Sequence, residues 1–429
     1  MLKVLLGPVV AGLSALVLYL PWDVPGEIMT RSDNFWYVPT AMSLLAEGNI
    51  ELSEFRPDLE ALYPENPFLQ EYLDPERDYR IYQLESVGLV NHYTIGNAVA
   101  AIPLLPMLNW RYRHVSNRVW RSMLITPLLA KIYAAASVAL FFLVARQLAR
   151  KTWQVVVLTV LFALVTPHVS SHVGGYWSHN PGAFFLLAAL ALLLVENGRW
   201  AWTAAFPLAF STVLRPDMIV ATTAFTVYLF LHHRKQFIPF VLSGGAIAAL
   251  YVAHCLVTYG TLVQPYQGPV DEIATSFSAV LMGLAGLVAS PNRGLLVFTP
   301  VFIFSLLACV MIWRGKRTRL MLRYLSIIVL VHLAFNALWP VWWAGWSYGP
   351  RLFAGIAPVW ALLLLPVLED GKRPALLGLA CAGLFSAFVQ FRGLSSREVH
   401  DWNGTPTSVN EDPSRLWDWS DMQIFRGLF

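Results

Sequence analysis

Charged residues are scarce in this chain. They make up 13% of its 429 residues, while hydrophobic residues make up 57% and the mean hydropathy is +0.55. Soluble domains carry about 25% charged residues, so this composition excludes an ordinary soluble domain. Repeated apolar runs, each near the ~20 residues that cross a bilayer, instead predict an all-α, polytopic integral membrane protein.

Cysteine is also scarce. Cys255, Cys309 and Cys381 lie far apart in apolar runs, which excludes a disulfide framework and a cysteine metal site. We interpret them as small core hydrophobes. Internal repeats and low-complexity linkers are missing too. We therefore treat residues 1–390 as one transmembrane domain, followed by a C-terminal cap at 391–429 outside the membrane.

Positive charge is nearly absent from one segment. Residues 21–91 contain 14 acidic residues, four arginines and no lysine. Their net charge of −10 leaves +14 for the rest of the chain. A split of this kind bears on membrane orientation, and it does not indicate a nucleic-acid partner.

Eleven apolar segments are expected to span the membrane. They are 2–20, 122–145, 153–170, 181–195, 200–214, 217–231, 236–256, 296–313, 321–338, 352–368 and 374–390. Five short connections between them contain arginine or lysine, which the positive-inside rule places in the cytoplasm. The chain then starts in the cytoplasm, as a retained signal anchor, and ends outside.

This topology places loop 21–121 on the outer side. Segment 94–110 is interrupted by Pro103 and Pro106. We interpret it as an interfacial or re-entrant helix, because a spanning helix there would move the basic connections outside. The apolar run 278–289 is too short to span and is expected to be a second interfacial helix.

One carboxylate of the outer loop lies in an aromatic setting. Asp33 precedes residues that can share the apolar face of a helix in the membrane interface, namely Phe35, Trp36, Val38, Met42 and Leu45. Such a carboxylate can act as a general base that removes the proton from an acceptor hydroxyl. The alternative is that Asp33 only caps the helix.

The outer segment 168–180 contains three histidines, His168, His172 and His179, together with Tyr176. Their spacing lacks a compact helical pair, and neither cysteine nor carboxylate lies nearby, which disfavours zinc. Hydrogen bonding of His172, Tyr176 and His179 to a sugar or a diphosphate is our interpretation. The alternative is a plain polar loop before a proline-led helix.

Two arginines at span ends are candidates for binding a phosphate, which the planar guanidinium suits. Arg215 can instead snorkel to the interface or pair with Asp217. Arg293 precedes a span, and interfacial anchoring is its alternative. Gln264, on the other side of the run 278–289, is a candidate substrate-binding residue.

The densest aromatic cluster is Trp339–Arg351. An aromatic belt accounts for tryptophan and tyrosine at an interface, but it does not account for glycines and Pro350 beside an arginine. Aromatic faces stack on sugars and prenyl chains, and glycine permits close backbone approach. We therefore assign Trp343 and Tyr348 to substrate binding and Arg351 to a phosphate.

The stretch from Ser32-Asp33-Asn34 to Asn49, segments 290–300 and 343–351, and the Leu-Trp-Asp-Trp-Ser-Asp tail resemble bacterial members of the GT-C superfamily of membrane glycosyltransferases. The resemblance implies an inner-membrane enzyme with its active site outside. It implies a polyprenyl-phosphate sugar as donor, with a glycan, a lipid or a protein as acceptor. Asp33 would be the base, and Arg351, assisted by Arg293, would hold the phosphate.

Two questions stay open at this point. Some members of the superfamily bind a divalent metal through two carboxylates, whereas here Arg31 and Ser32 precede Asp33 and Glu27 lies further back. A Mg²⁺ or Mn²⁺ ion is therefore neither required nor excluded, and no other cofactor is expected. A transporter or flippase of a lipid-linked or polar substrate is the alternative function, since ionisable residues such as His332 lie in apolar segments.

Overall fold

The computed structural model describes residues 2–21, 33–173, 175–265, 276–315 and 319–428. It is mostly helical, with 70% helix and 2% strand, as the apolar runs predict. The helices up to residue 232 are α1 (Leu2–Tyr19), α2 (Tyr37–Ala46), α3 (Arg56–Glu60), α4 (Ile95–Ala101), α5 (Leu105–Arg111), α6 (Arg118–Leu148), α7 (Thr152–Val165), α8 (His179–Leu194), α9 (Ala205–Leu214) and α10 (Ile219–His232).

The remaining helices are α11 (Arg234–Tyr259), α12 (Phe277–Ala289), α13 (Leu295–Phe298), α14 (Phe302–Arg314), α15 (Leu320–Asn336), α16 (Ala357–Leu362), α17 (Leu365–Asp370), α18 (Arg373–Ser395) and α19 (Glu398–Asp401). Short 3₁₀ helices cover Ser53–Phe55, Pro67–Glu71, Val195–Gly198, Ala201–Ala204, Pro216–Met218, Arg351–Phe353, Pro413–Trp417 and Gln423–Phe425, and a π-helical turn covers His168–Val173. Strands β1 (Ile81–Leu84) and β2 (Gly88–Asn91) form an antiparallel hairpin that the all-α prediction did not include.

Among the residues that the structure describes, three helices are long and apolar enough to cross a membrane by length and composition. They are α6, α11 and α18, with 31, 26 and 23 residues. Helix α11 exposes large apolar side chains such as Leu242 at 69% and Val257 at 83%. A continuous apolar surface of this kind suits contact with lipid rather than water.

The other predicted spans coincide with shorter helices or with broken ones. The segment 352–368 is divided into α16 and α17, and each begins with a proline in its first turn, Pro358 and Pro366. Proline fits the first turn of a helix but ends a preceding one, because it lacks an N–H donor. The sequence therefore places helical segments well, and the length of each helix less well.

Helix α6 is central to the main core and packs against α1, α7 and α8. A second core forms around α2 and the outer loop. Phe35, Trp36 and Val38 are at most 4% exposed there, which corrects the prediction of an apolar face lying in the interface. The rings of Phe35 and Tyr72 pack edge to face at 4.8 Å, so this face is covered by protein, and only Leu45 at its end is exposed.

Segment 94–110 forms two seven-residue helices, α4 and α5, each too short to span. Helix α4 is packed between α2 and α9. The predicted run 278–289 is helix α12, most of whose side chains are at least partly exposed.

The C-terminal segment packs onto the transmembrane region. Helix α18 continues through residue 395, so the predicted boundary at 390 falls inside a helix. Trp402, Val409 and Leu416 belong to the main core. The side chain of Ser290 donates to the Leu416 carbonyl at 2.6 Å, which attaches the tail to the loop before α13.

Candidate functional site

Asp33 and Arg351, which are 318 residues apart, form an ion pair in which Arg351 Nη1 lies 3.4 Å from Asp33 Oδ2. The other oxygen, Oδ1, accepts a hydrogen bond from the Tyr79 hydroxyl at 3.1 Å. The side chains of Asp33 and Arg351 are 24% and 25% exposed. The carboxylate is thus oriented from two sides and still reachable from solvent.

Asp33 does not cap the following helix. Helix α2 begins at Tyr37, the residue in its N-cap position is Trp36, and no side chain caps it. The capping alternative is therefore wrong. Both Asp33 oxygens contact residues distant in sequence, Tyr79 and Arg351, so the carboxylate belongs to a tertiary cluster rather than to the helix.

The loop before Arg351 has an unusual backbone. Ala344 and Gly349 adopt φ of +59° and +60°, in the left-handed region. A Cβ on Gly349 would lie 2.4 Å from the Phe298 ring, so glycine is required there. The Ala344 carbonyl accepts a hydrogen bond from Arg351 Nη2 at 3.1 Å, so this strained turn holds the guanidinium against Asp33.

Tyr79 is a site residue that the sequence did not indicate. It lies between Asp78 and Arg80, which form a buried ion pair at 2.6 Å. Trp36 Nε1 donates to the same Asp78 carboxylate at 3.1 Å. These contacts fix the segment that presents the Tyr79 hydroxyl. Burial and the Asp33 charge raise the pKa of Tyr79, so it stays a neutral donor.

Arg215 pairs with Asp217, as one of its alternatives predicted. Nε and Nη2 of Arg215 donate to the two Asp217 oxygens at 2.9 and 2.8 Å. His332 Nε2 lies 3.0 Å from Asp217 Oδ2. Arg215 Nη1 lies 3.1 Å from His179 Nε2 and 3.3 Å from Ser178 Oγ. A phosphate bound at Arg215 would therefore have to share the guanidinium with the Asp217 carboxylate.

His172 lies in the same region, and its side chain is completely buried. Its Nδ1 lies 2.8 Å from Nδ1 of His168. Burial, His168 and the charge of Arg215 lower the pKa of His172 well below its usual value, so the ring is neutral at pH 7. Its ring stacks near that of His179, with centroids 6.5 Å apart.

Three buried side chains here keep polar atoms without a partner among the described residues. The atoms without a partner are Nδ2 and Oδ1 of Asn34, Nε2 of His172 and Nδ1 of His179. Asn34 follows Asp33 directly and is 1% exposed. Orphaned polar groups are uncommon in protein interiors, so their grouping marks a place where a ligand or water belongs.

Arg293 has different surroundings from those predicted for a phosphate-binding residue. It is 1% exposed and donates to the Trp343 and Gly345 carbonyls and to the side chains of Gln423 and Asn403. None of these acceptors is a carboxylate. Burial and the charges of Arg351 and Arg415 lower the pKa of Arg293 to about 9, so it remains a cation at pH 7. It shapes the loop that carries Arg351.

Four other predicted substrate-binding residues donate hydrogen bonds to other residues of the protein. The hydroxyl of Tyr176 donates to the Asn97 carbonyl at 2.9 Å, and that of Tyr348 to the Val389 carbonyl at 2.7 Å. Gln264 Nε2 donates to the Tyr93 carbonyl at 2.7 Å, and Trp343 Nε1 to Asn410 at 3.0 Å. We interpret these contacts as structural.

The described part of the chain contains no group of three or more His, Cys, Asp or Glu that could hold a metal ion. Glu27, Arg31 and Ser32 lie outside it. Asp33 has a guanidinium 3.4 Å away, which makes it a poor ligand for a divalent cation.

The structure thus brings five predicted residues into one region, namely Asp33, Arg351, Arg215, His172 and His179. Two close approaches link the halves: Gly175 of the histidine loop lies beside Asn34, and Arg215 lies beside Gly355, four residues after Arg351. A base, two cations and neutral hydrogen-bonding rings suit a ligand that carries both an anionic group and hydroxyls. In comparisons with known proteins, no family model, no curated protein and no solved structure matches the chain.

Proposed function

We propose that this chain is a membrane glycosyltransferase of GT-C type. It transfers a sugar from a polyprenyl-phosphate donor to the hydroxyl of a glycan, lipid or protein acceptor on the outer face of a bacterial inner membrane. The observation that carries the proposal is the Asp33–Arg351 pair, which joins a carboxylate and a cation in one partly exposed site. Acceptor activation needs a carboxylate base, and phosphate release needs a cation, and this site supplies both.

The proposed reaction is a single displacement at the anomeric carbon. The acceptor oxygen forms a bond to that carbon while the bond to the phosphate oxygen breaks, and the acceptor proton passes to Asp33. The bond electrons leave on the polyprenyl phosphate, and Arg351 neutralises that charge. Tyr79 keeps the carboxylate oriented by its hydrogen bond to Oδ1. Arg215 lies further along the same region and supplies a second positive charge.

The proposed topology keeps eleven spans, with the N-terminus in the cytoplasm and the C-terminus outside. It is supported by the coincidence of the predicted spans with helices and by the basic connections between them. A cysteine replacing Ser116 should react with a membrane-impermeant maleimide in intact cells, and one replacing Lys151 should not. The exposed Cys381 is changed to serine first. The reverse labelling pattern contradicts the topology.

A transport function remains the second candidate, because Asp217 and His332 form a buried ionisable pair within the helical body. Such pairs mark ion or substrate pathways in transporters. The two functions differ in what they do to the lipid-linked substrate. A transferase cleaves the sugar–phosphate bond, and a flippase leaves it intact.

The test uses the full chain in proteoliposomes with a radiolabelled polyprenyl-phosphate sugar and a mixture of acceptors. The unaltered protein should form labelled product and free polyprenyl phosphate. Asp33→Asn should lower the product by a factor of about 10²–10⁴, the usual contribution of a general base. Glu85→Gln, which changes an exposed carboxylate of the same loop, is the matched control. Transbilayer movement of intact donor without any transfer would establish the flippase instead.

A further inference from the structure

Two buried imidazoles each keep one nitrogen without a partner among the described residues. His172 and His179 are 0% and 3% exposed, and the orphaned atoms are His172 Nε2 and His179 Nδ1. The rings are nearly parallel, at 23°, with centroids 6.5 Å apart. The hydrogen positions on both rings follow from their other contacts.

The tautomer of His172 is fixed through His168. His168 Nε2 lies 3.1 Å from the Ala134 carbonyl, which can only accept, so Nε2 carries the hydrogen. In a neutral ring the His168 Nδ1 is then an acceptor. His172 Nδ1, at 2.8 Å from it, must donate. The neutral His172 ring therefore presents Nε2 as an unused acceptor.

The tautomer of His179 is fixed through Arg215. Arg215 Nη1 lies 3.1 Å from His179 Nε2, and a guanidinium can only donate. His179 Nε2 is therefore the acceptor, and the hydrogen of the neutral ring is on Nδ1. One orphaned atom is thus a donor, and the other is an acceptor.

We propose that a sugar hydroxyl binds between His179 and His172, accepting from His179 Nδ1–H and donating to His172 Nε2. A hydroxyl does both, whereas a phosphate oxygen without a proton only accepts and an ammonium only donates. The two ring centroids are 6.5 Å apart, so one small ligand can reach both nitrogens.

Asn34 extends the site toward the catalytic residues. Within the described part of the chain, both of its side-chain polar atoms lack a partner, so it offers one acceptor and two donors to a neighbouring hydroxyl. It adjoins the histidine loop, since a Cβ on Gly175 would lie 3.1 Å from Asn34 Nδ2. It is also the residue after Asp33. Together the three side chains offer donors and acceptors to a ligand with several hydroxyls.

The occupant we assign is the transferred sugar of the donor, and that assignment rests on the function proposed above. A sugar whose phosphate lies at Arg351 can extend toward His179, because Arg215, which contacts His179, lies beside Gly355, four residues after Arg351. The acceptor hydroxyl would approach from Asp33, on the exposed side. His172 and His179 would then select the donor by its hydroxyl pattern.

The experiment measures binding rather than transfer. The probes are farnesyl-phosphate glucose, galactose, mannose and arabinose, their mono-deoxy analogues, and farnesyl phosphate alone. We expect at least one sugar conjugate to bind the unaltered protein more tightly than farnesyl phosphate does. Removing one particular hydroxyl should weaken that binding about five- to 150-fold, the effect of two lost hydrogen bonds.

His172→Phe should cause a smaller loss with the complete sugar, about two- to tenfold, because it removes only one of the two hydrogen bonds. It should cause no further loss with that deoxy analogue, because the hydroxyl that His172 contacts is already absent. His92→Phe, outside this cluster, is the matched control. The deoxy series uses the unaltered protein, so a folding defect of the variant cannot imitate the result. ¹⁵N spectra of labelled histidine should also show the His179 Nδ1–H signal move when the sugar binds.

Three outcomes overturn the inference. The first is equal binding of all deoxy analogues, and the second is a further loss of binding when His172→Phe is combined with the deoxy analogue. The third is no preference for any sugar conjugate over farnesyl phosphate, which would assign a water molecule to the space between the rings. Transfer activity is measured separately. If the protein transfers sugar but His172→Phe and the loss of the hydroxyl act independently, only this inference fails. If the two changes act on the same contact but no sugar is transferred, only the proposed reaction fails.

Discussion

Arg351 and Arg293 belong to neighbouring loops, and both were predicted to bind the same phosphate, yet their surroundings differ. Arg351 is paired with a carboxylate, and its side chain is 25% exposed. Arg293 is 1% exposed and surrounded by neutral acceptors. An arginine reachable by a ligand can act on it, whereas an arginine enclosed by carbonyls and amides holds the protein together. The Arg351 region is therefore the candidate for chemistry and the Arg293 region for stability.

The largest expected effect is on stability, in the Arg293 region. Arg293→Met removes the charge-assisted hydrogen bonds to Gln423 and Asn403, whose buried oxygens then keep one backbone N–H donor each, from Gly349 and Ser347. We expect a loss of about 3–5 kcal/mol in unfolding free energy, seen as a clear drop in thermal unfolding temperature in detergent. An unfolding temperature equal to that of the unaltered protein would show that Arg293 does not stabilise the fold, and the proposed difference between the two regions would fail.

The matched change in the other region is Arg351→Met. The Asp33–Arg351 pair is partly exposed, so its loss should cost less than about 1 kcal/mol of stability. Transfer should nevertheless fall by a factor of about 10²–10³, because the leaving phosphate loses its cation. Thermal unfolding and initial transfer rates measured on the same preparation separate the two effects. A large stability loss with normal transfer contradicts the assignment.

A smaller effect is expected at Tyr79. Tyr79→Phe keeps the ring and removes the hydroxyl that donates to Asp33 Oδ1 at 3.1 Å. We expect the transfer rate to fall roughly three- to tenfold, as one hydrogen bond contributes about 0.5–1.5 kcal/mol. Tyr82→Phe, on the exposed side of the adjacent strand, serves as the control. An unchanged rate for Tyr79→Phe means that Asp33 needs no orientation from that side.

The sequence predicted the helical segments because a long apolar run that crosses a bilayer must satisfy its backbone hydrogen bonds within a helix. It also placed Asp33 and Arg351 on the same side of the membrane, and the structure puts them 3.4 Å apart. The positive-inside rule acts on the whole chain and therefore relates residues that are distant in sequence. The break between α16 and α17 was not predicted, because hydropathy alone does not register that Pro358 and Pro366 each begin a new helix.

Other features depended on tertiary contacts. The acceptors of Arg293 lie 110 and 130 residues along the chain, so no local pattern indicates its burial. Tyr79 reaches Asp33 across 46 residues because a buried ion pair and a hairpin position it. The available signal was weak, a tyrosine between Asp78 and Arg80 just before an alternating segment. The unsatisfied state of Asn34 had no sequence signal at all.

The most direct test of the central claim separates donor binding from chemistry at Asp33. The single-turnover transfer rate of Asp33→Asn is compared with that of the unaltered protein, with the polyprenyl-phosphate sugar bound beforehand and its dissociation constant measured in parallel. If Asp33 is the base, the rate falls by at least about 10² while the dissociation constant changes only a few-fold. A rate within tenfold of the unaltered protein, at full donor occupancy, contradicts the account.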